Sequence, residues 1–176
     1  MEGTEHIKAG YCRGFTLVEL MITLAILAIL MTVAVPNFGS FMRESGMDAV
    51  QNRLVSSMSL ARSEAISRRA DVTLCPRNAD DEINTCGDNW NNGWALITGG
   101  AAIRVEEKLD QGITLANPGA SIIFELDGQI SGDNAICFTV DDGDSSTIQR
   151  YVRVSATGRV RSWDRDNDED TVCGDG

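Results

Sequence analysis

The sequence predicts an α+β protein in which a long N-terminal helix packs on antiparallel β-sheets. Three observations predict it. The apolar run from Thr16 to Val35 contains a single charged residue, Glu19. Beyond Pro36 a helical pattern resumes, with Val50, Leu54, Met58, Ala61 and Ala65 at three- and four-residue intervals. From residue 70 onward the chain changes to short runs rich in Ile and Val, separated by Gly, Asp and Asn turns. Many short strands with no helical pattern between them indicate antiparallel sheets.

The apolar run comes first. Its Leu, Ile, Ala and Met residues are good helix formers, and no proline interrupts them before Pro36. At about 1.5 Å per residue the helix is roughly 30 Å long, the thickness of a bilayer's hydrocarbon core. Lys8 and Arg13 precede it, which places residues 1–14 on the cytoplasmic side and the remainder outside. A cleaved secretory signal fits poorly, because the run is too long and no A-x-A site follows it before Pro36. A plain anchor also has no use for Glu19, since an ionised acid in hydrocarbon costs a few kcal/mol unless it is paired.

Gly14-Phe15-Thr16-Leu17-Val18-Glu19-Leu20 resembles the processing motif of type IV prepilins. That resemblance implies cleavage after Gly14 by a prepilin peptidase, N-methylation of the new terminus on Phe15, and retention of the apolar helix. It also implies that Glu19 pairs with the N-terminus of a neighbouring subunit, an interaction strengthened by low dielectric. The expected segments are a leader, 1–14; a membrane and filament-core helix, 15–36; its amphipathic continuation, 37–69; and a β domain, 70–176. Pro36 is expected to kink or locally melt the helix, for it lacks an N–H and crowds the preceding turn.

Composition sets the other bounds. A chain of 176 residues provides one membrane helix and one domain with its own core. The formal charge of −11 favours solubility and disfavours non-specific binding of nucleic acid. Cys12 falls in the leader, leaving Cys75, Cys86, Cys137 and Cys173, an even set that reads as two disulfides in an exported domain. Three pairings exist; the short polar loop favours Cys75–Cys86, with Cys137–Cys173 tying the C-terminal tail to a strand. Zinc is the rival, but CxxC spacing is missing and the lone histidine, His6, lies in the leader.

Val50 to Ala65 should lay an apolar stripe on a sheet, with Gln51, Asn52, Arg53, Ser56, Ser59, Arg62 and Ser63 on the other face. Arg68 and Arg69 complement the dipole at the helix C-terminus. Strands are expected at Asp71–Cys75, Ala102–Glu106, Ile113–Leu115, Ser121–Glu125, Ala135–Val140, Arg150–Ser155 and Arg159–Trp163, with a polar loop over 78–92 and Trp90–Ile97 entering a buried strand. Trp90 and Trp94 read as core and turn anchors.

Ala61-Arg62-Ser63-Glu64-Ala65-Ile66 and Trp90-Asn91-Asn92-Gly93-Trp94 resemble segments of the GspH/FimT/FimU group of minor pilins and pseudopilins. The resemblance implies the type IV pilin fold and a part in pilus assembly: priming the filament and bridging tip minor pilins to the shaft. Its partners would be the prepilin peptidase, other minor and major pilins and the inner membrane. The chain would be held there by a single pass with its domain in the periplasm, then drawn into a pilus or pseudopilus. Type II secretion is the other machine the group serves.

No enzyme is indicated. The lone histidine in the leader excludes Ser-His-Asp and Cys-His arrangements from the mature chain, and no P-loop or dinucleotide glycine pattern appears. No cofactor and no metal is expected. Asp164, Asp166 and Asp168 have the alternation of a calcium loop, but Glu169 stands where that loop requires glycine. Gly158-Arg159-Val160-Arg161 resembles a segment of FimT-like pilins that bind DNA during uptake. In a strand, Arg159 and Arg161 share a face, with Arg150 and Arg153 nearby in sequence. The six acids from Asp164 onward oppose a polyanion there.

Overall fold

The computed structural model describes residues 15–78, 84–110, 112–116, 119, 121–132, 134–143 and 149–164, without the side chains of 33–37. Helix α1 (Leu17–Arg68) is a single element of 52 residues. Its backbone stays helical through Pro36, so the local melting that was one of the two expected outcomes there does not occur. Proline's fixed φ is itself helical, and one missing N–H removes little from so long a ladder. The chain divides into two compact units at Ser40.

In the first unit α1 begins at a sequence-coded cap. The Glu19 N–H donates to Thr16 Oγ1 at 3.2 Å, and the Leu20 N–H donates to the Thr16 carbonyl. Thr16 and Glu19 are spaced as in a capping box, with the acid in the positive first turn. The hydroxyls of Thr23 and Thr32 donate to the carbonyls of Leu20 and Ile29, which hides polar groups inside an apolar helix. Phe15, Leu17, Leu24, Ile29 and Leu30 are all exposed, on every side of this helix. Among the described residues, no helix is long and apolar enough to cross a membrane. The span expected over 15–36 includes residues whose side chains are not described.

In the second unit, α1 buries Met47, Val50, Leu54, Met58, Ala61 and Ala65, the expected stripe plus one turn. Gln51 departs from expectation: it is buried, and its Nε2 donates to the carbonyls of Tyr151 and Trp163. The helix ends with Arg69 left-handed at φ 52, and the Ala70 N–H reaches back to the Ala65 carbonyl, a Schellman-type close. Arg68 pairs with Glu64 one turn earlier.

Among the described residues eight strands follow: β1 (Val72–Pro76), β2 (Trp94–Thr98), β3 (Ala101–Val105), β4 (Thr114–Ala116), β5 (Ile122–Phe124), β6 (Ile136–Asp141), β7 (Gln149–Val154) and β8 (Val160–Asp164). They form two four-stranded sheets, ordered β3-β2-β1-β5 and β4-β6-β7-β8, and every neighbouring pair is antiparallel. The helix stripe and the inner faces of both sheets share one core, which includes Leu74, Trp94, Phe124, Phe138, Val140 and Val152.

Trp90 and Trp94 anchor that core. Trp94 is fully buried; its indole N–H donates to Ser57 Oγ at 2.9 Å, and the Arg53 guanidinium lies 5.2 Å from its ring centroid. Trp90 meets Phe138 edge-on and donates to the Gly119 carbonyl. Gly93 separates them because it closes the short turn Trp90–Asn92 at φ 85, where a side chain would strike the carbonyls of Glu106 and Glu107.

Candidate anion-binding face

The β7–β8 hairpin is built by its turn. The Gly158 N–H donates to the Ser155 carbonyl, the Ser155 N–H donates to the Arg159 carbonyl, and Gly158 is left-handed at φ 72. This is a type I turn closed by a glycine bulge. A side chain on Gly158 would overlap the Gly128 carbonyl oxygen and crowd Arg62 Nε. The glycine of Gly158-Arg159-Val160-Arg161 is therefore required by a close approach as well as by its φ. The Arg62 of Ala61-Arg62-Ser63-Glu64-Ala65 lies beneath it, so two sequence motifs meet at one point of the fold.

The turn fixes the register, which sets Arg153 directly opposite Arg161. Val152 and Val154 point into the core, so Arg153 and Arg161 project from the outer face, and both are exposed. Arg159 joins them at the turn end. Together with Ser155, Thr157, Ser162 and Trp163 they line a cleft of about 580 Å³. None of the three guanidinium groups has a hydrogen bond or ion pair with a described residue. Trp163 forms one wall and is stacked on Tyr151 at 5.7 Å. An arrangement of this kind accepts an anion: like charges opposed across strands repel until something negative comes between them.

Arg150 does not belong to this face. It is buried beneath β7, with Nε 2.8 Å from Asp48 and 3.1 Å from Asp164, and a terminal nitrogen 3.0 Å from Glu44. Burial alone would lower its pKa, but the hydrogen bonds it donates to Asp48 and Glu44, with the negative charge of Asp164 and Asp48, outweigh that and raise it. Sequence adjacency grouped Arg150 with Arg153; strand alternation separates them. Arg153 was the stronger member to single out, and its signal was the glycine-bulge turn, from which the pairing with Arg161 can be counted.

The other expected site residues fall as follows. Cys75 and Cys86 form a disulfide. Cys137 is disulfide-bonded, whereas its expected partner Cys173 lies outside the described residues. Gly14 lies outside them too; Phe15 is exposed just before α1, Glu19 is in its first turn, and Pro36 lies within it. Asp166 and Asp168 are not described, and Asp164 is engaged by Arg150. Among the described residues no cluster of His, Cys, Asp or Glu could hold a metal ion.

A long helix laid on two antiparallel sheets is the type IV pilin fold, seen also in the type IV minor pilin FimU of Pseudomonas aeruginosa. One crystal form of FimU superposes with a TM-score of 0.57 at 17% identity, covering 69% of this chain and 90% of FimU. A second form gives 0.54 at 17% identity, over 66% and 91%. The minor pseudopilin EpsH of Vibrio cholerae gives 0.47 at 13% identity, over 66% and 95%. No curated protein sequence matches the chain. Residues 10–35 match the prokaryotic N-terminal methylation motif. Residues 50–158, more than half the chain, match the type II transport protein GspH family, and the chain belongs to that family.

Proposed function

We propose that this chain is a minor pilin that helps assemble a type IV pilus. The observation that carries the reading is the methylation motif of residues 10–35 running into a GspH-family domain at 50–158. The helix supports it further: from Phe15 to Met31 its large apolar side chains are exposed, and such a helix needs lipid or neighbouring helices around it. In this reading a prepilin peptidase cuts after Gly14 and Phe15 is methylated. The helix holds the chain in the inner membrane with its domain in the periplasm until it enters a filament. There it primes assembly and bridges tip pilins to the shaft, with Glu19 meeting the N-terminus of a neighbour. Nothing in the role calls for catalysis.

The test is the yield of sheared surface pili from a strain lacking the gene, scored beside secreted protein. Scarce pili with major pilin accumulating in the membrane support the reading. Normal pili with failed secretion move the chain to a type II pseudopilus.

A second reading, a DNA-binding pilin for uptake, draws on the cleft of Arg153, Arg159 and Arg161. It ranks lower because the net charge of −11 repels a polyanion, and phosphate binding strengthens with the number of charges neutralised. A mobility shift lost in Arg159→Ala/Arg161→Ala would favour it; no shift at low salt would remove it.

A further inference from the structure

We propose that the free edge of β8, together with Arg153, Arg159 and Arg161, is a docking site for an extended acidic segment of a neighbouring subunit. The inference deepens the assembly reading above and names one surface through which it would act.

The backbone supplies half of the site. Among the described residues β8 is the last strand of its sheet. The bond from the Ser155 N–H to the Arg159 carbonyl, at 3.0 Å, marks that pair as hydrogen-bonded. Antiparallel pairs alternate, so Arg161 and Trp163 bond inward to β7, while the N–H and C=O groups of Val160 and Ser162 point off the edge. Those outward groups have no partner among the described residues. They form a template for one more strand.

The side chains supply the other half. A strand added there places every second residue on the outer face, beside Arg159 and Arg161 and within reach of Arg153. Carboxylates at alternate positions would sit among three guanidinium groups that no described residue neutralises, and would quench the repulsion between Arg153 and Arg161. The same charges select against other occupants. A second copy pairing β8 to β8 would bring arginines together, which like-charge repulsion forbids. A nucleic acid offers no alternating backbone donors and acceptors to the edge.

The test uses the full chain in detergent micelles and a fluorescent peptide, acetyl-Thr-Glu-Val-Glu-Val-Glu-Thr-amide, read by anisotropy and by hydrogen exchange. We expect binding that weakens by about tenfold or more when the glutamates become glutamines, and again in Arg153→Gln/Arg161→Gln. The amides of Val160 and Ser162 should exchange more slowly with peptide bound. Ser162→Pro, which removes an outward N–H and leaves the arginines in place, should abolish binding. Failure to bind at low salt, binding indifferent to the arginines, or unprotected edge amides would each overturn the proposal. So would tighter binding of a single-stranded oligonucleotide, or of a peptide copying residues 165–172, which would assign the cleft to DNA or to the chain's own end. The assay needs no filament. Peptide binding by a chain missing from pili would sink the assembly reading alone; a chain present in pili that ignores the peptide would sink this one alone.

Discussion

Arg153 and Arg161 stand directly opposite each other across β7 and β8, and no described residue neutralises either. Three residues earlier on the same strand, Arg150 is held by Glu44, Asp48 and Asp164. One strand therefore carries an arginine that joins it to the helix and an arginine held opposite a like charge. The two can be told apart by what their loss does.

Removing one of the opposed pair should relieve repulsion. Arg161→Thr, which keeps a good strand former on an exposed position, is expected to raise stability by about 0.5 kcal/mol. Urea unfolding at low and high salt checks it, and the gain should shrink as salt screens the pair.

Arg150→Met should do the reverse. It leaves Glu44, Asp48 and Asp164 facing one another without their cation, at the junction of α1, β7 and β8. The acids are about half exposed, so the loss is expected near 2 kcal/mol rather than the larger figure for a fully buried pair. A lower urea midpoint with unchanged slope is the expected readout.

The turn glycine makes a third case. Gly158→Ala combines a left-handed φ with overlap of the Gly128 carbonyl, and should destabilise by about 2–4 kcal/mol. Gly99→Ala is the control: its φ is 57, but nothing lies within 4 Å, so a loss of about 1 kcal/mol is expected. Thermal unfolding of the two variants side by side separates conformation from contact.

At the helix end the sign flips again. Arg69 occupies the left-handed position that closes a Schellman-type cap, at φ 52. Arg69→Gly should therefore stabilise by about 1 kcal/mol, measured by the same melts.

Much of this architecture was legible before any coordinates. The β7–β8 strands were readable from Val and Ile runs between turn residues, and each lies within a residue or so of its expected place. The Cys75–Cys86 bridge followed from a short polar loop. What escaped was decided by tertiary packing. Gln51 read as a surface residue, because its type says nothing about the carbonyls of Tyr151 and Trp163 that await it. Arg150 read as part of a basic patch, because neighbours in sequence point to opposite faces of a strand. Pro36 is expected to kink or locally melt the helix, and the melting is absent because one missing N–H has little effect in a helix of 52 residues. Glu19 read as an assembly residue alone, although Thr16 three residues earlier marks it as part of a helix cap.

The claim that this chain is a processed filament subunit is tested most directly by mass spectrometry of sheared surface filaments. Peptides of this chain are expected in the sheared fraction, with its N-terminus at Phe15 and one methyl group on that amine. The Glu19→Ala variant should be trimmed in the membrane but scarce in the filaments, and Gly14→Val should stay at full-length mass. Filaments that never contain the chain, or a chain found there with residues 1–14 still attached, would contradict it.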